Sequence, residues 1–224
     1  MPAFQIPGCT DFSVQYDSTE DGGGTWFGQE YVAVIQSRYR QRFWRCLKWC
    51  SGPGFIGFAL LARGLCDELV LIDRHEPAMQ SVRDTIEHNH CQDRVRLYHA
   101  DQISQIPGSE RFDIVVANPP HYLECPGDEN YQRIAVDIEW QAHQEFYANI
   151  ARYMAPDGVI LLQENQAGSI QGPVTWRDMI DRGGLELTGY FTSPGFYDTN
   201  GPTQIYYIES RLAKNLPEIV DSAK

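Results

Sequence analysis

The chain has 224 residues, enough for one α/β domain with a sizeable core, and 42% of them are hydrophobic, as in a typical globular protein. No apolar run approaches the roughly 20 residues that a membrane-spanning helix needs. The N-terminus has neither the basic segment nor the apolar core of a secretory signal. Six cysteines without a CxxC pair indicate reduced thiols, which predicts a cytoplasmic protein with neither a disulfide framework nor a metal site.

The formal net charge of −12 argues against a long nucleic-acid substrate without excluding one, because proteins that grip a phosphate backbone usually carry a basic face. One basic cluster, residues 38–45, contains four arginines. We interpret it as a solvated helix face, with a local anion or nucleic-acid contact as the alternative.

In chain order, residues 1–25 are expected to be irregular and residues 30–42 helical. Short apolar runs then alternate with helical patterns, and apolar residues at every fourth position are typical of helices that lie on a sheet. The strands are predicted at residues 45–50, 68–73, 95–101, 113–118 and 158–165.

The last part of the chain breaks this alternation. Two β-rich runs, residues 185–193 and 203–212, have no helix between them and predict an antiparallel hairpin. The predicted fold class is therefore α/β: a doubly wound, mostly parallel, seven-stranded Rossmann-like sheet with a C-terminal antiparallel β-hairpin.

Ligands bind beyond the carboxyl ends of the strands in such a sheet. After the first of these strands, Gly52, Gly54 and Gly57 have the G-x-G-x-x-G spacing that permits a tight turn and a close backbone approach to a ligand, although a purely structural turn has the same spacing. Asp73 ends the next strand, 21 residues after Gly52, where a carboxylate accepts both hydroxyls of a ribose or caps the following helix. The joint pattern favours adenosine binding.

Asp101 closes the third strand and could accept a hydrogen bond from an adenine amine, or form a turn or a helix cap. Further candidates for cofactor binding are the neighbours of these positions: Cys50, Ser51, Arg74 and Gln102. None of these features distinguishes a nicotinamide cofactor from S-adenosylmethionine.

The segment FDIVVANPPHY, residues 112–122, makes that distinction. Together with CSGPGFIG (50–57) and LIDRHEPA (71–78) in the same order, it resembles the class I S-adenosylmethionine-dependent methyltransferases, specifically the Asn-Pro-Pro-aromatic group. That group methylates planar nitrogens, including nucleobase exocyclic amines and the side-chain amide of glutamine. The resemblance covers about residues 25–210 and implies S-adenosylmethionine as the cofactor.

The resemblance also implies how the target nitrogen is held. Its lone pair is delocalised, so orientation towards the methyl group supplies much of the rate. Asn118 Oδ1 and the Pro119 carbonyl would accept the two N–H hydrogens of the target. The two prolines stiffen the backbone and carry no N–H to compete for these acceptors. Asn118 also adjoins the cofactor.

Two positions depart from the family pattern. His121 stands where an aromatic residue is usual, and either it or Tyr122 could stack on the substrate, while a histidine can also form hydrogen bonds. Cys50 stands where the family often has an acidic residue that helps to hold the methionine end of the cofactor. The candidates to replace that acid are Gln29, Glu30 and Glu164.

Residues 22–35 resemble the segment that covers the cofactor, with Trp26 and Phe27 either as lid contacts or as packing anchors. On this basis residues 1–42 form an N-terminal segment with a lid helix, and residues 43–224 form the methyltransferase core. The acidic segment 123–137 is either part of the substrate wall or an ordinary surface loop.

These features predict an S-adenosylmethionine-dependent methyltransferase acting on an amide or related nitrogen of a protein, peptide or small molecule. The acidic charge favours that class of acceptor over the alternative, an exocyclic amine in DNA or RNA. A nicotinamide-dependent oxidoreductase is a remote alternative because it leaves the Asn-Pro-Pro segment unexplained, and a catalytically silent adenosine-binding subunit is another.

Overall fold

The computed structural model describes residues 2–21, 23–169, 171–192 and 205–214. The strands are β1 (Ala3–Gln5), β2 (Ser13–Gln15), β3 (Phe43–Trp49), β4 (Cys66–Asp73), β5 (Val95–His99), β6 (Phe112–Ala117), β7 (Met154–Asn165), β8 (Leu185–Thr192) and β9 (Ile205–Leu212). The α-helices are α1 (Gly24–Tyr39), α2 (Phe55–Ala62), α3 (Glu76–His88), α4 (Glu129–Ala135), α5 (Gln141–Ile150) and α6 (Val174–Arg182).

Seven strands form one sheet in the order β5-β4-β3-β6-β7-β9-β8. The strands from β5 to β7 pair in parallel, whereas β9 pairs antiparallel with both β7 and β8. The predicted seven-stranded, doubly wound sheet with antiparallel C-terminal strands is therefore confirmed. The predicted connection between the last two strands lies in residues 193–204, outside the described residues.

The central strands are mostly apolar because helices cover both faces of the sheet. One core lies between the sheet and helices α1, α2 and α3, with Tyr31 and Phe58 fully buried in it. The other lies between the sheet and helices α5 and α6, with Phe146 and Trp176 fully buried. Lys48 on β3, which is only 2% exposed, and Gln163 and Glu164 on β7, which are at most 1% exposed, are polar exceptions to this apolar pattern.

The N-terminal segment is ordered rather than irregular. Strands β1 and β2 pair antiparallel, and β2 is joined by hydrogen bonds to Thr85 of α3 and to Asn89, the residue that follows this helix. The Ser13 amide donates to Asn89 Oδ1 over 3.0 Å, and the Gln15 amide donates to Thr85 Oγ1 over 2.8 Å. Three-residue strands carry too little periodicity to be recognised, and these partners lie 70 or more residues further along the chain.

Helix α1 begins and ends earlier than the predicted helix at residues 30–42. The Asp21 carboxylate accepts hydrogen bonds from the Gly23 amide and the Thr25 hydroxyl, which fixes the start of the helix. Arg40 adopts a left-handed conformation with φ 48° and ends it. Tyr39 is therefore the last helical residue.

Two described helices were not predicted. Helix α4 lies within segment 123–137, where the Asp128 side chain caps it by accepting from the Tyr131 amide. Helix α6 lies between β7 and β8 and packs on the sheet through Trp176 and Ile180. Among the described residues, no helix is both long enough and apolar enough to span a membrane.

Candidate active site

A cavity of about 840 Å³ opens where β3, β4 and β6 end, and its wall includes Cys50, Asp73 and Asn118. This volume lies in the range of small-molecule sites, about 300–1,000 Å³. Because β4 and β6 flank β3 on opposite sides, the cavity lies at the point where the strand order reverses. Open α/β sheets bind their ligands at that point.

The three glycines of the G-x-G-x-x-G segment have different roles. Gly52 has φ 51°, and a Cβ built on it would meet no atom within 4 Å, so its open face adjoins the cavity. Gly54 has φ 90° and precedes α2, and a Cβ there would collide with the Phe58 ring. A Cβ at Gly57 would press on two leucines of β4. Gly54 and Gly57 thus serve the turn and the packing of α2.

The Asp73 carboxylate connects the glycine turn to the end of β4. Its Oδ2 accepts from the Gly52 amide over 2.7 Å, and its Oδ1 accepts from the His75 amide over 3.0 Å. Since a carboxylate offers about four acceptor sites, each oxygen keeps one for a ligand in the cavity. The next part of the wall is formed by Arg74, Asp101 and Gln102.

Lys48 also belongs to this wall, although it was not predicted from the sequence. Its Nζ donates to the carbonyls of Trp49 over 2.7 Å and of Cys50 over 2.6 Å, directly beneath the glycine turn. Burial lowers the pKa of Lys48 to about 8, against the attraction of the Asp73 carboxylate. A lysine inside an apolar strand is the sequence signal that could have identified it.

Cys50 lies in the wall but cannot replace the missing acidic residue as a charged group. Burial raises the pKa of its thiol well above the usual range, so the side chain stays neutral. The residue adopts φ 49°, and the Lys48 ammonium holds its carbonyl. Cys50 therefore contributes a fixed backbone turn to the wall, not a charged side chain.

The segment after β6 forms the opposite wall, which contains Asn118, Pro119, His121 and Tyr122. His121 Nε2 lies 2.6 Å from Asn118 Oδ1, so two of the predicted catalytic residues are hydrogen-bonded to each other. Just before them, the Ala117 carbonyl accepts from the Tyr31 hydroxyl of α1 over 2.5 Å.

Tyr122 is held by both its backbone and its side chain. Its amide donates to the Ala135 carbonyl over 2.9 Å, and its carbonyl accepts from the Asp137 amide over 2.8 Å. Its hydroxyl accepts from Asn165 Nδ2 over 2.9 Å. The end of the Asn-Pro-Pro segment is therefore attached to the end of α4.

Only one face of α1 reaches the cavity. Gly24 and Phe27, about one turn apart, belong to the wall. Trp26, Gln29 and Glu30, which were predicted with Phe27 as lid or substrate residues, are not among the described residues that line it. Trp26 is 58% exposed and Gln29 is exposed. The helical period therefore separates Phe27 from Trp26, although they are adjacent in sequence.

Glu30 and Glu164, two of the three candidates for the missing acidic residue, are bound elsewhere. Glu30 lies in the core beside Gln163 and Tyr207, where burial raises the pKa of its carboxyl to about 7. Glu164 contacts His121 and a second histidine, His143 of α5, which was not among the predicted site residues. Gln29 faces outwards.

A set of polar contacts in the cavity wall, here called the clasp, joins the N-terminal segment to α4. Arg133 Nη2 lies 3.1 and 3.0 Å from the two carboxylate oxygens of Glu20, and His75 Nε2 lies 3.2 Å from Glu20 Oε1. Asn130 Nδ2 donates to the Thr19 carbonyl over 2.8 Å. Residues from both sides of the clasp line the cavity.

Comparison with known families adds to this geometry. Residues 33–168 match the model of the methyltransferase small domain, which is more than half of the chain. The chain belongs to the methyltransferase small domain family. Membership confirms the prediction of a class I S-adenosylmethionine-dependent methyltransferase and of S-adenosylmethionine as its cofactor.

Curated relatives of the chain include RNA methyltransferases. The chain is 25% identical over 131 residues to a tRNA1(Val) (adenine(37)-N6)-methyltransferase of Actinobacillus pleuropneumoniae, covering 57% of this chain and 53% of the relative. It is 34% identical over 71 residues to a ribosomal RNA small subunit methyltransferase C of Haemophilus influenzae, covering 32% and 20%. The chain thus spans about half or less of the length of these relatives.

Among solved structures, TYW2 of M. jannaschii in complex with AdoMet has a TM-score of 0.62 and 12% identity, covering 93% of this chain and 84% of that one. At this identity the likeness concerns the fold.

The residues in the cavity fit the family's cofactor. Asp73 retains acceptor sites for ribose hydroxyls, and the open face of Gly52 leaves room for a ligand against the backbone. The Lys48 ammonium, buried beneath the turn, fixes the Trp49 and Cys50 carbonyls.

Proposed function

We propose that this protein transfers the methyl group of S-adenosylmethionine to the exocyclic amine of a nucleobase in RNA. The observation that carries the proposal is the position of Asn118 and Pro119, in the wall of the same cavity that Asp73 and the glycine turn line from the other side. A planar nitrogen held by Asn118 would then face the cofactor.

In this proposal S-adenosylmethionine, when bound, supplies an electrophilic methyl group. Asp73 accepts the ribose hydroxyls, while Asp101 and Gln102 lie where they could contact the adenine. Asn118 Oδ1 and the Pro119 carbonyl accept the two N–H hydrogens of the acceptor amine, which aims its nitrogen lone pair and favours the charge that develops there.

The choice of a nucleobase rests on the relatives. Their names record adenine-N6 methylation of tRNA and methylation of ribosomal RNA, which supports the nucleobase alternative better than the amide acceptor favoured by the sequence alone. A planar base would enter beside His121 and Tyr122, whose rings meet edge to face with centroids 6.5 Å apart.

A second candidate is an amide or amine nitrogen on a protein, peptide or small molecule, and the charge of the cavity favours it. The wall contains three basic residues, Lys48, Arg74 and Arg133, against seven acidic ones: Glu20, Asp21, Asp73, Asp101, Asp128, Asp137 and Glu145. An acidic wall suits a neutral or cationic acceptor better than a phosphate backbone.

The basic cluster at residues 38–45 does not offset this acidity, because most of its charge is paired. Arg38 lies 3.1 Å from Glu209, Arg42 pairs with Asp67, and Arg45 contacts Glu68 over 2.7 Å and Glu110 over 2.6 Å. An RNA acceptor would therefore be held mainly through its base.

Methyl transfer from labelled S-adenosylmethionine to separate pools of RNA, peptides and small amides distinguishes these candidates. We expect label in RNA, recovered after digestion as a nucleoside methylated on its exocyclic amine. Label confined to peptides or small amides would replace this proposal by the second candidate. Cofactor binding without label in any pool would contradict both.

A further inference from the structure

A row of hydrogen-bonded polar side chains leads from the interior of the protein to Asn118. Asp137 Oδ2 lies 2.6 Å from His143 Nδ1, and His143 Nε2 lies 3.1 Å from Glu164 Oε1. Glu164 Oε2 lies 3.4 Å from His121 Nδ1, and His121 Nε2 lies 2.6 Å from Asn118 Oδ1. His143 and Glu164 are at most 1% exposed, whereas His121 reaches the cavity wall.

The inner half of this row, formed by Asp137, His143 and Glu164, is an ion-paired unit. Both ring nitrogens of His143 face carboxylates, which only accept hydrogen bonds when ionised, so the ring carries both protons. Burial acts to lower the pKa of His143, but the attraction of Glu164 and the hydrogen bonds to Asp137 and Glu164 outweigh it and raise the pKa to about 9.

The same contacts keep Glu164 charged. Burial acts to raise the pKa of its carboxyl, and the attraction of His143 with the hydrogen bonds from His121 and His143 brings it below the usual value. An ionised carboxylate with almost no exposure is costly unless it is paired. The His143 imidazolium thus maintains a negative charge directly behind His121.

Packing fixes the position of His143 as well. The Asp137 carboxylate accepts from the Ala142 amide over 2.9 Å and the His143 amide over 3.1 Å, which joins it to the first turn of α5. The His143 ring stacks on Trp176, with centroids 4.3 Å apart and an interplanar angle of 24°. The ring therefore has little freedom to rotate away from Glu164.

We propose that His121 is a positioning residue for methyl transfer that donates from both ring nitrogens, from Nε2 to Asn118 Oδ1 and from Nδ1 to Glu164. Glu164, itself held by His143 and Asp137, thereby sets the orientation of the His121 ring. This inference deepens the proposed function and rests on it. The oxygen and nitrogen of an asparagine amide are nearly equal in size, so steric contact alone does not decide which of them faces a given neighbour. A donor at His121 Nε2 selects the oxygen.

The selected orientation matters for the acceptor. An amide oxygen has two lone pairs, so Asn118 Oδ1 can accept from His121 and still accept one N–H of the target amine. If the amide turned over, its NH2 group would face that N–H instead and would repel it. The histidine thus has a use that the usual aromatic residue at this position does not have.

Nuclear magnetic resonance of ¹⁵N-labelled histidine side chains tests the hydrogen bond without any methyl acceptor. We expect a proton on His121 Nε2 that exchanges slowly with water in the wild type and rapidly in Asn118→Ala. A His121 ring protonated only on Nδ1 would overturn the proposal, because the Asn118 amide would then have to donate to the bare Nε2.

A double-mutant cycle tests the effect on the reaction. His121→Phe keeps a planar ring and removes the donor, and we expect kcat to fall at least about tenfold while KM for the acceptor and cofactor affinity stay within about threefold. Glu164→Gln should lower kcat to a similar extent, and the double variant should lie within about twofold of His121→Phe. His121→Gln, which keeps an N–H donor, should retain more activity than His121→Phe.

Glu110→Gln is the matched control, since Glu110 is also a buried, ion-paired carboxylate but lies just before the start of β6, at the opposite end of that strand from Asn118. Its kcat should stay within about twofold of the wild type. Fully additive losses for His121→Phe and Glu164→Gln, or an unchanged kcat in both, would overturn the positioning role. A wild type that methylates no RNA would instead contradict the proposed function and leave the resonance result intact.

Discussion

The Gly52 amide donates to the Asp73 carboxylate over 2.7 Å, so the residue that would hold the ribose also holds the glycine turn. Asp73→Ala removes both interactions at once. We expect S-adenosylmethionine affinity to fall by about 1.5–3 kcal/mol, the scale of a lost charge-assisted hydrogen bond. Calorimetric titration measures this change. Asp84→Ala, a carboxylate on α3 outside the cavity wall, is the control, and an unchanged affinity in Asp73→Ala would remove Asp73 from the site.

Glu30 predicts an unusual dependence of stability on pH. Its carboxyl has a folded-state pKa of about 7 against an ordinary value of 4.5. Between these values the folded protein keeps a proton that the unfolded chain has lost, so this carboxyl lowers the free energy of unfolding as pH rises through that window. The loss continues through pH 7 and is nearly complete by about pH 8.

Glu30→Gln removes the titration, and we expect the variant to be more stable than the wild type by about 1–3 kcal/mol at pH 8. The difference should shrink towards pH 5. Denaturant unfolding at both pH values measures it. A variant less stable than the wild type at pH 8 would show that the carboxylate is well satisfied in the core.

Gly168 packs closely against the Asn-Pro-Pro segment, so its position has no room for a side chain. A Cβ at this position would overlap the carbonyl oxygen of His121, although the backbone of Gly168 is not in the left-handed region. We expect Gly168→Ala to destabilise the protein by about 1–3 kcal/mol, as overpacking does, and to lower turnover by displacing His121.

Gly108→Ala is its matched control, because a Cβ at Gly108 would meet no atom within 4 Å. Melting temperatures and turnover of the two variants should therefore diverge. Equal behaviour would mean that the segment after β7 yields to the added methyl group without disturbing His121.

Much of the fold could be predicted from the sequence because its signals are local. Strands β3, β4 and β6 are short, mostly apolar runs. At their carboxyl ends they are followed or closed by Gly52, Asp73 and Asn118 respectively, and all three residues line the cavity. Strands β1 and β2 were missed because three residues carry no period. Their stability depends on α3, far along the chain.

The buried polar residues behind the site could not be predicted because their contacts also depend on separate elements of the fold. Asp137, His143 and Glu164 come from the segment after α4, from α5 and from β7, and only the fold brings them together. In sequence His143 is one histidine on an amphipathic helix. Lys48, by contrast, lies in an apolar strand and could have been questioned from the sequence alone.

Asn118→Ala provides the most direct test of the central claim, that Asn118 holds the acceptor nitrogen during methyl transfer. Cofactor affinity and turnover are measured on the same preparation, with Asn149→Ala on α5, outside the cavity wall, as the control. We predict an S-adenosylmethionine affinity within a few-fold of the wild type and a loss in turnover of at least about a hundredfold, the scale of removing one transition-state hydrogen bond. Equal losses of affinity and turnover, or a variant that turns over like the wild type, would contradict it.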